Sequence, residues 1–560
     1  MLKRITMVAG STPHQAPLEV ELSSVTVFVG PNNSGKSRAL QEIENWIRSP
    51  QPSKGLVVNA IEFEPWTKEA VEEELNALVI EPTLTESLQP DHVLINKLNP
   101  QNNSTVRTQI HKPLLLKEAQ SPNDSRHRYA TFLSLFTLKL DGTNRLALAN
   151  PQKAGDLQKV APNHVAHLFV NNADRERLRK TVYDAFGKYL VVDPTNIGEL
   201  RFRLSARAPQ DEAEEKGWDS RAQKFHNQAT LLVDASDGVK AFIGMLSTII
   251  AGDPKVTLID EPEAFLHPAL SYKLGKEVAA TVATTNRRVF VSTHSASFLM
   301  GCVQSGAGVN IVRLTYDYET ATARLLRREK LAPLMHNPLL RSVGVLNALF
   351  YNAVVVTEGD ADRAFYQEVN DRLLAKNDPR GIAGCLFLNA QNKQTVWDIV
   401  KPLRELGIPA AGVVDIDVLK EGGAVWNKPL QGAFIPPLNH PGLQAERGVL
   451  LKAFEDTGKN MKREGGVALL PPAEQEACRN LFSKLAEYGV FVVDRGELES
   501  WLPELGAGDS KSTWLLTIFE KMGDDPSQPG YVHPAQGDVW DFVGRIRSWV
   551  TRSDRKGIPE

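Results

Sequence analysis

The octapeptide GPNNSGKS, at residues 30–37, decides how the chain is interpreted. It fits the pattern G-x-x-x-x-G-K-S/T, in which backbone amides wrap nucleotide phosphates, the lysine neutralises phosphate charge and the last hydroxyl binds Mg²⁺. A strand-like run, SVTVFV, precedes it, and apolar residues at helical spacing follow it, so the loop joins a strand to a helix. We therefore expect Mg·ATP to bind here. The predicted nucleotide-binding residues are Gly30, Asn32, Asn33, Ser34, Gly35, Lys36, Ser37 and Arg38.

A second motif, VTLIDEPEAFLHP at residues 256–268, supplies the acids that such a loop requires. Asp260 ends an apolar strand, where its carboxylate can hold Mg²⁺ through water, and Glu261 can polarise the attacking water. An Asp-Glu pair alone often caps a helix, but together with the upstream loop it favours an ATPase. We predict Ser37 and Asp260 as Mg²⁺ ligands and Glu261 as the catalytic base.

Two acidic clusters follow downstream, each at the end of a predicted strand. TEGDADRAFYQEV, at residues 357–369, follows the run AVVV, and GVVDIDV, at residues 412–418, places two aspartates on one face of a strand. Clustered carboxylates repel one another unless a divalent cation binds between them. Asp360, taken by itself, is interpreted as a solvated loop residue or helix cap, and so is Glu497 further along the chain. The predicted ligands of a second Mg²⁺ or Mn²⁺ site are Glu358, Asp362, Asp415 and Asp417.

The string DEPEAFLHP resembles the Walker B motif and D-loop of the RecF/SMC/OLD branch of ABC ATPases. The resemblance implies that Ser236 and Gly238, in ASDGVK, form a degenerate signature motif that contacts the nucleotide of the opposite subunit. It also implies that His294, in VSTHS, is the switch histidine, and that the heads pair on ATP. From the residues alone, Ser236 could equally be the N-cap of a helix.

The acidic motifs E-G-x-x-D and D-x-D resemble the TOPRIM domain of topoisomerases, primases and OLD nucleases, where such acids hold Mg²⁺ for phosphodiester chemistry. An ABC head followed by TOPRIM is similar to the OLD family (overcoming lysogenisation defect), whose relatives include Gabija and other phage-defence nucleases. The resemblance implies that Glu358 and Asp415 are catalytic. It covers most of the chain, although residues 55–228 carry no matching motif.

The stretch VVDRGELESWL, at residues 492–502, resembles the late acidic motif of OLD nucleases. Glu499 is the preferred match, and Asp494 and Glu497 remain alternatives. OLD nucleases also carry a late lysine that could stabilise the charged transition state. The two candidates for that catalytic lysine are Lys511 and Lys521.

These features predict an α/β chain: an ABC-type P-loop ATPase head with an inserted mixed α/β region, then a Rossmann-like TOPRIM domain with a helical insert. With 560 residues the chain is too long for one typical core. The predicted boundaries are 1–55 and 229–345 for the head, 55–228 for its insert and dimerisation region, 346–535 for TOPRIM with an insert at about 418–486, and 536–560 for a C-terminal tail.

Composition limits the remaining possibilities. The chain is 42% hydrophobic and 23% charged, and no stretch approaches the roughly 20 apolar residues of a membrane helix. Three scattered cysteines exclude a CxxC zinc site and, without a secretory signal, lead us to expect a cytoplasmic protein. The net charge of −3 argues against a uniformly basic coat. Candidate basic clusters are Arg324, Arg327, Arg328 and Lys330, and Arg545, Arg547, Arg552 and Arg555.

The preferred prediction is an ATP-regulated, metal-dependent endonuclease of the OLD type, acting on DNA in anti-phage defence as a homodimer or higher homo-oligomer. An accessory protein encoded nearby is a further expected partner. Two alternatives stay open: an ATP-gated scaffold or sensor whose TOPRIM domain is inactive, and a TOPRIM ribonuclease that acts on tRNA.

Overall fold

The computed structural model describes residues 1–560 except 14, 50–53, 84, 99–104, 124–131, 143, 253, 318, 327–343, 509–510 and 560, with backbone only for 96–98, 105–106 and 511–512. Two compact units are present: Met1–Val29 with Asn33–Leu325, and Leu326–Glu560, to which Gly30–Asn32 is also assigned. No helix among the described residues is long and apolar enough to cross a membrane. Arg327, Arg328, Lys330 and the side chain of Lys511 lie outside the described part.

The first unit alternates strands and helices. Its strands are β1 (Leu2–Met7), β2 (Glu19–Glu21), β3 (Val25–Val29), β4 (Val58–Phe63), β5 (His92–Leu98), β6 (Thr105–His111), β7 (Thr137–Leu140), β8 (Gln152–Lys153), β9 (Tyr189–Asn196), β10 (Glu199–Ser205), β11 (Thr230–Leu231), β12 (Val256–Asp260), β13 (Arg288–Ser292), β14 (Val309–Tyr316) and β15 (Ala321–Leu326). Its α-helices are α1 (Lys36–Arg48), α2 (Lys68–Asn76), α3 (Lys112–Gln120), α4 (Phe132–Leu135), α5 (Asn144–Ala147), α6 (His164–Val170), α7 (Asn172–Phe186), α8 (Glu212–Lys216), α9 (Ser220–Asn227), α10 (Asp237–Ala251), α11 (Pro268–Val282) and α12 (Ala296–Gln304).

The main sheet of this unit has the strand order β15-β14-β3-β13-β12-β7, and β14, β3, β13, β12 and β7 are parallel. The central strands are buried, as expected where helices cover both faces of a parallel sheet. Because parallel strands end at one edge, the loops after β3, β12 and β13 lie together. The predicted inserted region 55–228 contributes to the head, since β7 joins this sheet and β4 pairs with β1.

The second unit is a parallel α/β fold. Its strands are β16 (Ala353–Thr357), β17 (Cys385–Asn389), β18 (Ala410–Asp415) and β19 (Val490–Val493). Its α-helices are α13 (Asp360–Ala375), α14 (Val396–Glu405), α15 (Gly423–Gly432), α16 (His440–Asp456), α17 (Pro472–Ala486), α18 (Lys511–Met522) and α19 (Asp538–Thr551). The strand order is β17-β16-β18-β19 with parallel pairing throughout, so the acids that follow β16 and β18 share one edge of the sheet.

Aromatic side chains fill one face of this second sheet. The indole nitrogen of Trp501 donates to the hydroxyl of Tyr366 at 2.9 Å, and both side chains are buried. Trp540 and Trp549 of α19 lie in the same core, so the segment predicted as a C-terminal tail carries a helix that packs against the sheet. Such large buried aromatic surfaces contribute strongly to stability.

The predicted insert between β18 and β19 is helical, and its return loop is packed tightly against the loop that follows β19. A Cβ atom at Gly496 would lie 2.1 Å from the carbonyl oxygen of Lys462, and one at Gly466 would lie 2.2 Å from the carbonyl oxygen of Asp494. Both glycines have positive φ, at 121° and 58°. Any side chain at either position would therefore push the two loops apart.

Candidate functional sites

The phosphate loop has the backbone that its sequence requires. Gly35, with φ at 93°, precedes the first turn of α1, and a Cβ atom there would lie 2.9 Å from Val57. Asn33 also has positive φ, at 61°. The hydroxyl oxygen of Ser34 is buried and has no hydrogen-bond partner among the described residues. A nucleotide phosphate fits this position, because it can accept from that hydroxyl and from the amides of the first turn of α1.

Lys36 lies in the same loop and is buried. Burial lowers the pKa of its ammonium group to about 8, and the carboxylates of Glu261, Glu263 and Asp260 only partly offset this effect. A desolvated ammonium group gains more from a phosphate than an exposed one would. The electrostatics of Lys36 therefore suit binding of a polyphosphate.

The predicted Mg²⁺ ligands of the ATPase site are in contact. The hydroxyl of Ser37 donates to Oδ1 of Asp260 at 2.9 Å, and the hydroxyl of Ser292 donates to the same oxygen at 2.6 Å. The two hydrogen bonds fix the carboxylate at the end of β12. This arrangement can hold the magnesium ion of Mg·ATP, as the donor set is all oxygen.

Glu261 has a left-handed backbone, with φ at 50°, which non-glycine residues rarely adopt. Two hydrogen bonds hold it there: its amide donates to the carbonyl of Ser292 at 2.9 Å, and its carbonyl accepts from Nη1 of Arg145 at 2.6 Å. Its carboxylate lies 3.6 Å from Nε2 of His294. Burial and the charge of Lys36 lower the pKa of His294. Glu261 and His294 can thus act on one water molecule.

Two residues in this site had no role in the sequence prediction. The guanidinium group of Arg145 is buried behind the Walker B loop, yet it comes from α5, in a segment without a motif. Glu263 accepts from the hydroxyl of Thr293 at 2.8 Å and from the amide of His294 at 2.6 Å, and burial raises its pKa. Glu263 therefore connects the Walker B loop to His294 through hydrogen bonds. Its position within the motif DEPEAF could have identified it from the sequence.

The contacts of the remaining predicted residues of the head do not test their predicted roles. Ser236 is exposed at the N-cap position of α10, but its side chain makes no capping hydrogen bond. A Cβ atom at Gly238 would lie 2.5 Å from the carbonyl oxygen of Phe265, so α10 closely approaches the D-loop. Arg38 pairs with Glu42 at 2.7 Å, and Asn32 is exposed. The roles of Ser236, Gly238, Asn32 and Arg38 stay predictions.

The acids predicted to form the second metal site lie close together, as their positions at the ends of neighbouring strands predicted. Glu358 follows β16, Asp415 ends β18, and Asp417 lies two residues further on. One carboxylate oxygen from each lies within 4.8 Å of the others. The amide of Asp415 donates to Oε1 of Glu358 at 3.0 Å, which fixes that carboxylate beside the second strand. Oxygen atoms at this spacing can hold one divalent cation.

The charges of this cluster favour a cation. Burial, with the charge of Asp415 second, raises the pKa of Glu358, and the same two causes raise the pKa of Asp362 to about 7. Oδ1 of Asp417 is buried without a hydrogen-bond partner in the described part of the chain. A divalent cation fits here, since it would satisfy that oxygen and offset the repulsion that raises both pKa values.

A lysine that the sequence analysis did not propose lies inside the acid cluster. Nζ of Lys462 is 2.5 Å from Asp415, 3.7 Å from Asp417 and 3.9 Å from Glu497. It belongs to the return loop of the helical insert, where the sequence shows only mixed charge. We see no sequence signal that could have identified it.

The late acidic residues separate into different environments. Glu499 contributes to the raised pKa of Asp362, whereas Glu497 is buried near Lys462. Asp494 pairs with Arg545 at 3.4 Å. Lys521, one of the two predicted catalytic lysines, donates to the carbonyls of Leu505 and Gly506 at 2.6 and 2.7 Å. Those bonds cap a short 3₁₀-helix at residues 503–505, outside the acid cluster.

Comparisons with known proteins find two different family models, which match two separate parts of the chain. The family model "AAA domain, putative AbiEii toxin, Type IV TA system" matches residues 25–300, and the model "Overcoming lysogenization defect protein-like, TOPRIM domain" matches residues 349–417. No curated protein matches the chain.

Three solved structures of SMC heads are similar to the chain. An SMC head bound to the C-terminal winged-helix domain of ScpA is 11% identical, with a TM-score of 0.34 over 59% of this chain and 99% of that one. The head from Thermotoga maritima is 12% identical (TM-score 0.28; 58% and 99%). A head with an extended coiled coil, bound to the C-terminal domain of ScpA derived from Pyrococcus furiosus, is 10% identical (0.31; 60% and 98%).

Fold and sites define a class: an ABC-type P-loop ATPase head, followed on one chain by a TOPRIM domain with a parallel sheet. The predicted fold class is confirmed. Within that class, the order of the two matches, an AAA domain and then an OLD-like TOPRIM domain, agrees with the OLD architecture that the sequence motifs resemble. This architecture supports a nuclease-type ATPase.

Proposed function

We propose that the chain is an ATP-regulated, metal-dependent endonuclease of the OLD type that cuts nucleic acid, preferably DNA, in defence against phages. The observation that carries this proposal is the cluster of Glu358, Asp415 and Asp417, whose ligand atoms lie within 4.8 Å of one another. Carboxylates at the ends of neighbouring parallel strands are typical of a catalytic metal site, and burial raises the pKa of both Glu358 and Asp415. The ATPase head on the same chain supplies the means of regulation.

Glu358, Asp415 and Asp417 would hold Mg²⁺ or Mn²⁺, with Asp362 and Glu499 as further ligands. The bound metal would polarise the scissile phosphate and activate a water molecule. The chain itself orients the ligands: the amide of Asp415 fixes the carboxylate of Glu358 through a 3.0 Å hydrogen bond. Asp415 is buried and Glu358 and Asp417 are partly buried, so solvent screens the charges of these ligands only weakly.

In the head, Lys36 and the amides around it would bind the phosphates of ATP, while Ser37 and Asp260, which are hydrogen-bonded to each other, would hold its magnesium ion. Glu261 would accept the proton of the attacking water, and His294, 3.6 Å from Glu261, would orient that water molecule. Ser236 is exposed at the start of α10, where a second copy can approach it. We extend the proposal to pairing of two heads on ATP, in which Ser236 and Gly238 serve the nucleotide of the other copy.

The test uses purified full-length protein with supercoiled DNA, linear DNA and total tRNA, each with Mg²⁺ or Mn²⁺. We expect cleavage of DNA, and for Asp415→Asn a loss of at least about 100-fold, because the cation loses a central ligand. The matched control is Asp360→Asn, which changes an exposed acid that pairs with Arg363 at 2.7 Å; it should cut normally.

Metal-dependent cleavage that survives in Asp415→Asn would refute the proposal. Cleavage of tRNA alone would change the substrate to RNA. If the unaltered protein cuts none of the three substrates but still assembles on ATP, the scaffold alternative would replace the nuclease.

A further inference from the structure

The ammonium group of Lys462 lies against two of the three acids that would hold a cation. It makes its closest contact, 2.5 Å, with Asp415, and it also lies 3.7 Å from Asp417. Asp415 and Asp417 are both among the proposed metal ligands. Two positive charges beside the same carboxylates repel each other, and at such short range in a buried site this repulsion is large.

The backbone of Lys462 is anchored, whereas its side chain has room to move. The carbonyl of Lys462 lies against Gly496, its amide donates to Asn460 at 3.0 Å, and the neighbouring Met461 is buried. The side chain of Lys462 is 21% exposed, so part of it reaches solvent. The ammonium group can therefore leave Asp415 through rotations of its own stem, without movement of the loop.

We propose that Lys462 is an internal counter-ion for Asp415 that a divalent cation must displace. This inference rests on the proposed function, because it takes Asp415 as a metal ligand. It adds a regulatory property: in the metal-free protein the cluster is held together by the insert loop, and metal affinity is set partly by competition with this lysine.

Lys393 provides a matched control at the edge of the same cluster. Its Nζ lies 3.4 Å from Asp417, but its nearest partner is Glu421, at 2.5 Å, which is not among the proposed ligands. The two lysines are similarly exposed, at 27% and 21%. Removal of either charge makes the cluster more negative, so a difference between them measures direct competition for Asp415.

The experiment measures Mn²⁺ binding to the full-length protein without nucleotide, by calorimetry and electron paramagnetic resonance. Lys462→Met should bind Mn²⁺ about tenfold more tightly than the unaltered protein, since a charge in contact with a ligand is removed. Lys393→Met should gain no more than about threefold, because the nearest partner of Lys393 is Glu421, which is not a proposed ligand. The Mn²⁺ binding that is present in the unaltered protein and lost in Asp415→Asn is the binding at this site.

A second measurement needs no variant. Acylation of lysines in the unaltered protein, followed by mass spectrometry, should modify Lys462 more readily after Mn²⁺ is added, while Lys484, which pairs with Glu446 on the surface at 2.6 Å, should not change. Lysine displaced from a carboxylate becomes both more exposed and more nucleophilic.

Equal Mn²⁺ affinity in Lys462→Met and the unaltered protein, or an equal gain in Lys393→Met, would overturn the inference and leave the proposed nuclease intact. So would unchanged labelling of Lys462. If the unaltered protein binds no Mn²⁺ that Asp415→Asn abolishes, the metal site of the proposed function fails as well, and with it this inference.

Discussion

Both candidate sites combine a lysine with carboxylates, but they balance the charges in opposite ways. In the ATPase head, the carboxylate of Asp260 accepts from two serine hydroxyls, and burial lowers the pKa of Lys36. In the TOPRIM domain, the lysine itself contacts the central acid, and the pKa of Lys462 is raised although burial opposes it. In the head, Lys36 can therefore neutralise the charge of an incoming polyphosphate. In the TOPRIM cluster, the charge of Lys462 already neutralises part of the charge of the acids.

The largest expected effect tests whether the two sites are separate. Lys36→Ala removes the buried charge that would meet the phosphates, so ATP hydrolysis should fall by on the order of 100-fold or more. The nucleotide should also lose its effect on cleavage. Mn²⁺ binding at the TOPRIM acids should stay unchanged, measured by calorimetry on the same preparation. Loss of that metal binding would contradict two independent sites.

The next effect concerns how the head holds its base. Arg145→Lys cannot reproduce the hydrogen bond from Nη1 to the carbonyl of Glu261, so the left-handed backbone of that residue should relax. We expect kcat for ATP hydrolysis to fall about tenfold with little change in KM, because an interaction of the transition state is misplaced.

The control for that variant is Arg175→Lys. Arg175 is also buried and donates to the carbonyls of Leu168 and Phe169, outside the site. Both variants should lower the melting temperature similarly. An equal loss of kcat in both would mean that Arg145 acts only through stability.

A third prediction uses pH, to which the TOPRIM site should respond. The pKa of Asp362 is raised from its ordinary 3.8 to about 7. Between about pH 4 and pH 7, Asp362 keeps its proton in the folded protein but loses it in the unfolded chain. The contribution of Asp362 to the stability of the metal-free protein therefore falls as pH rises through this range. Metal binding must release this proton, so Mn²⁺ affinity should rise as pH rises through about 7, and the pKa of Glu358, raised to about 8, extends that rise. Asp362→Asn should flatten that dependence; an unchanged slope would mean that another group titrates.

The smallest effect should come from Lys521, which the sequence offered as a catalytic lysine. Its two hydrogen bonds to backbone carbonyls predict a purely structural role. Lys521→Met should lower the free energy of unfolding by about 1 kcal/mol in chemical denaturation and leave cleavage intact. A loss of cleavage without a loss of stability would restore its predicted role.

The sequence was sufficient where function follows from local pattern. GPNNSGKS and the acids after β16 and β18 could be placed because parallel strands bring their carboxyl ends to one edge. Arg145 and Lys462 could not be placed in this way. Each reaches its site from a segment without a motif, through packing between residues far apart in the chain. The left-handed backbone of Glu261 is likewise a product of tertiary hydrogen bonds, which no local preference predicts.

The hydrogen bond between Trp501 and Tyr366 also has a practical consequence. Tyr366 lies one helical turn from Asp362, and Trp501 lies two residues from Glu499. Each partner of this hydrogen bond is therefore close in the chain to one of the proposed metal ligands. Six of the nine tryptophans of the chain belong to the second unit: Trp397, Trp426, Trp501, Trp514, Trp540 and Trp549. Intrinsic fluorescence of the whole protein is thus mainly an optical signal from the TOPRIM domain, and it can follow events at the acid cluster without an attached dye.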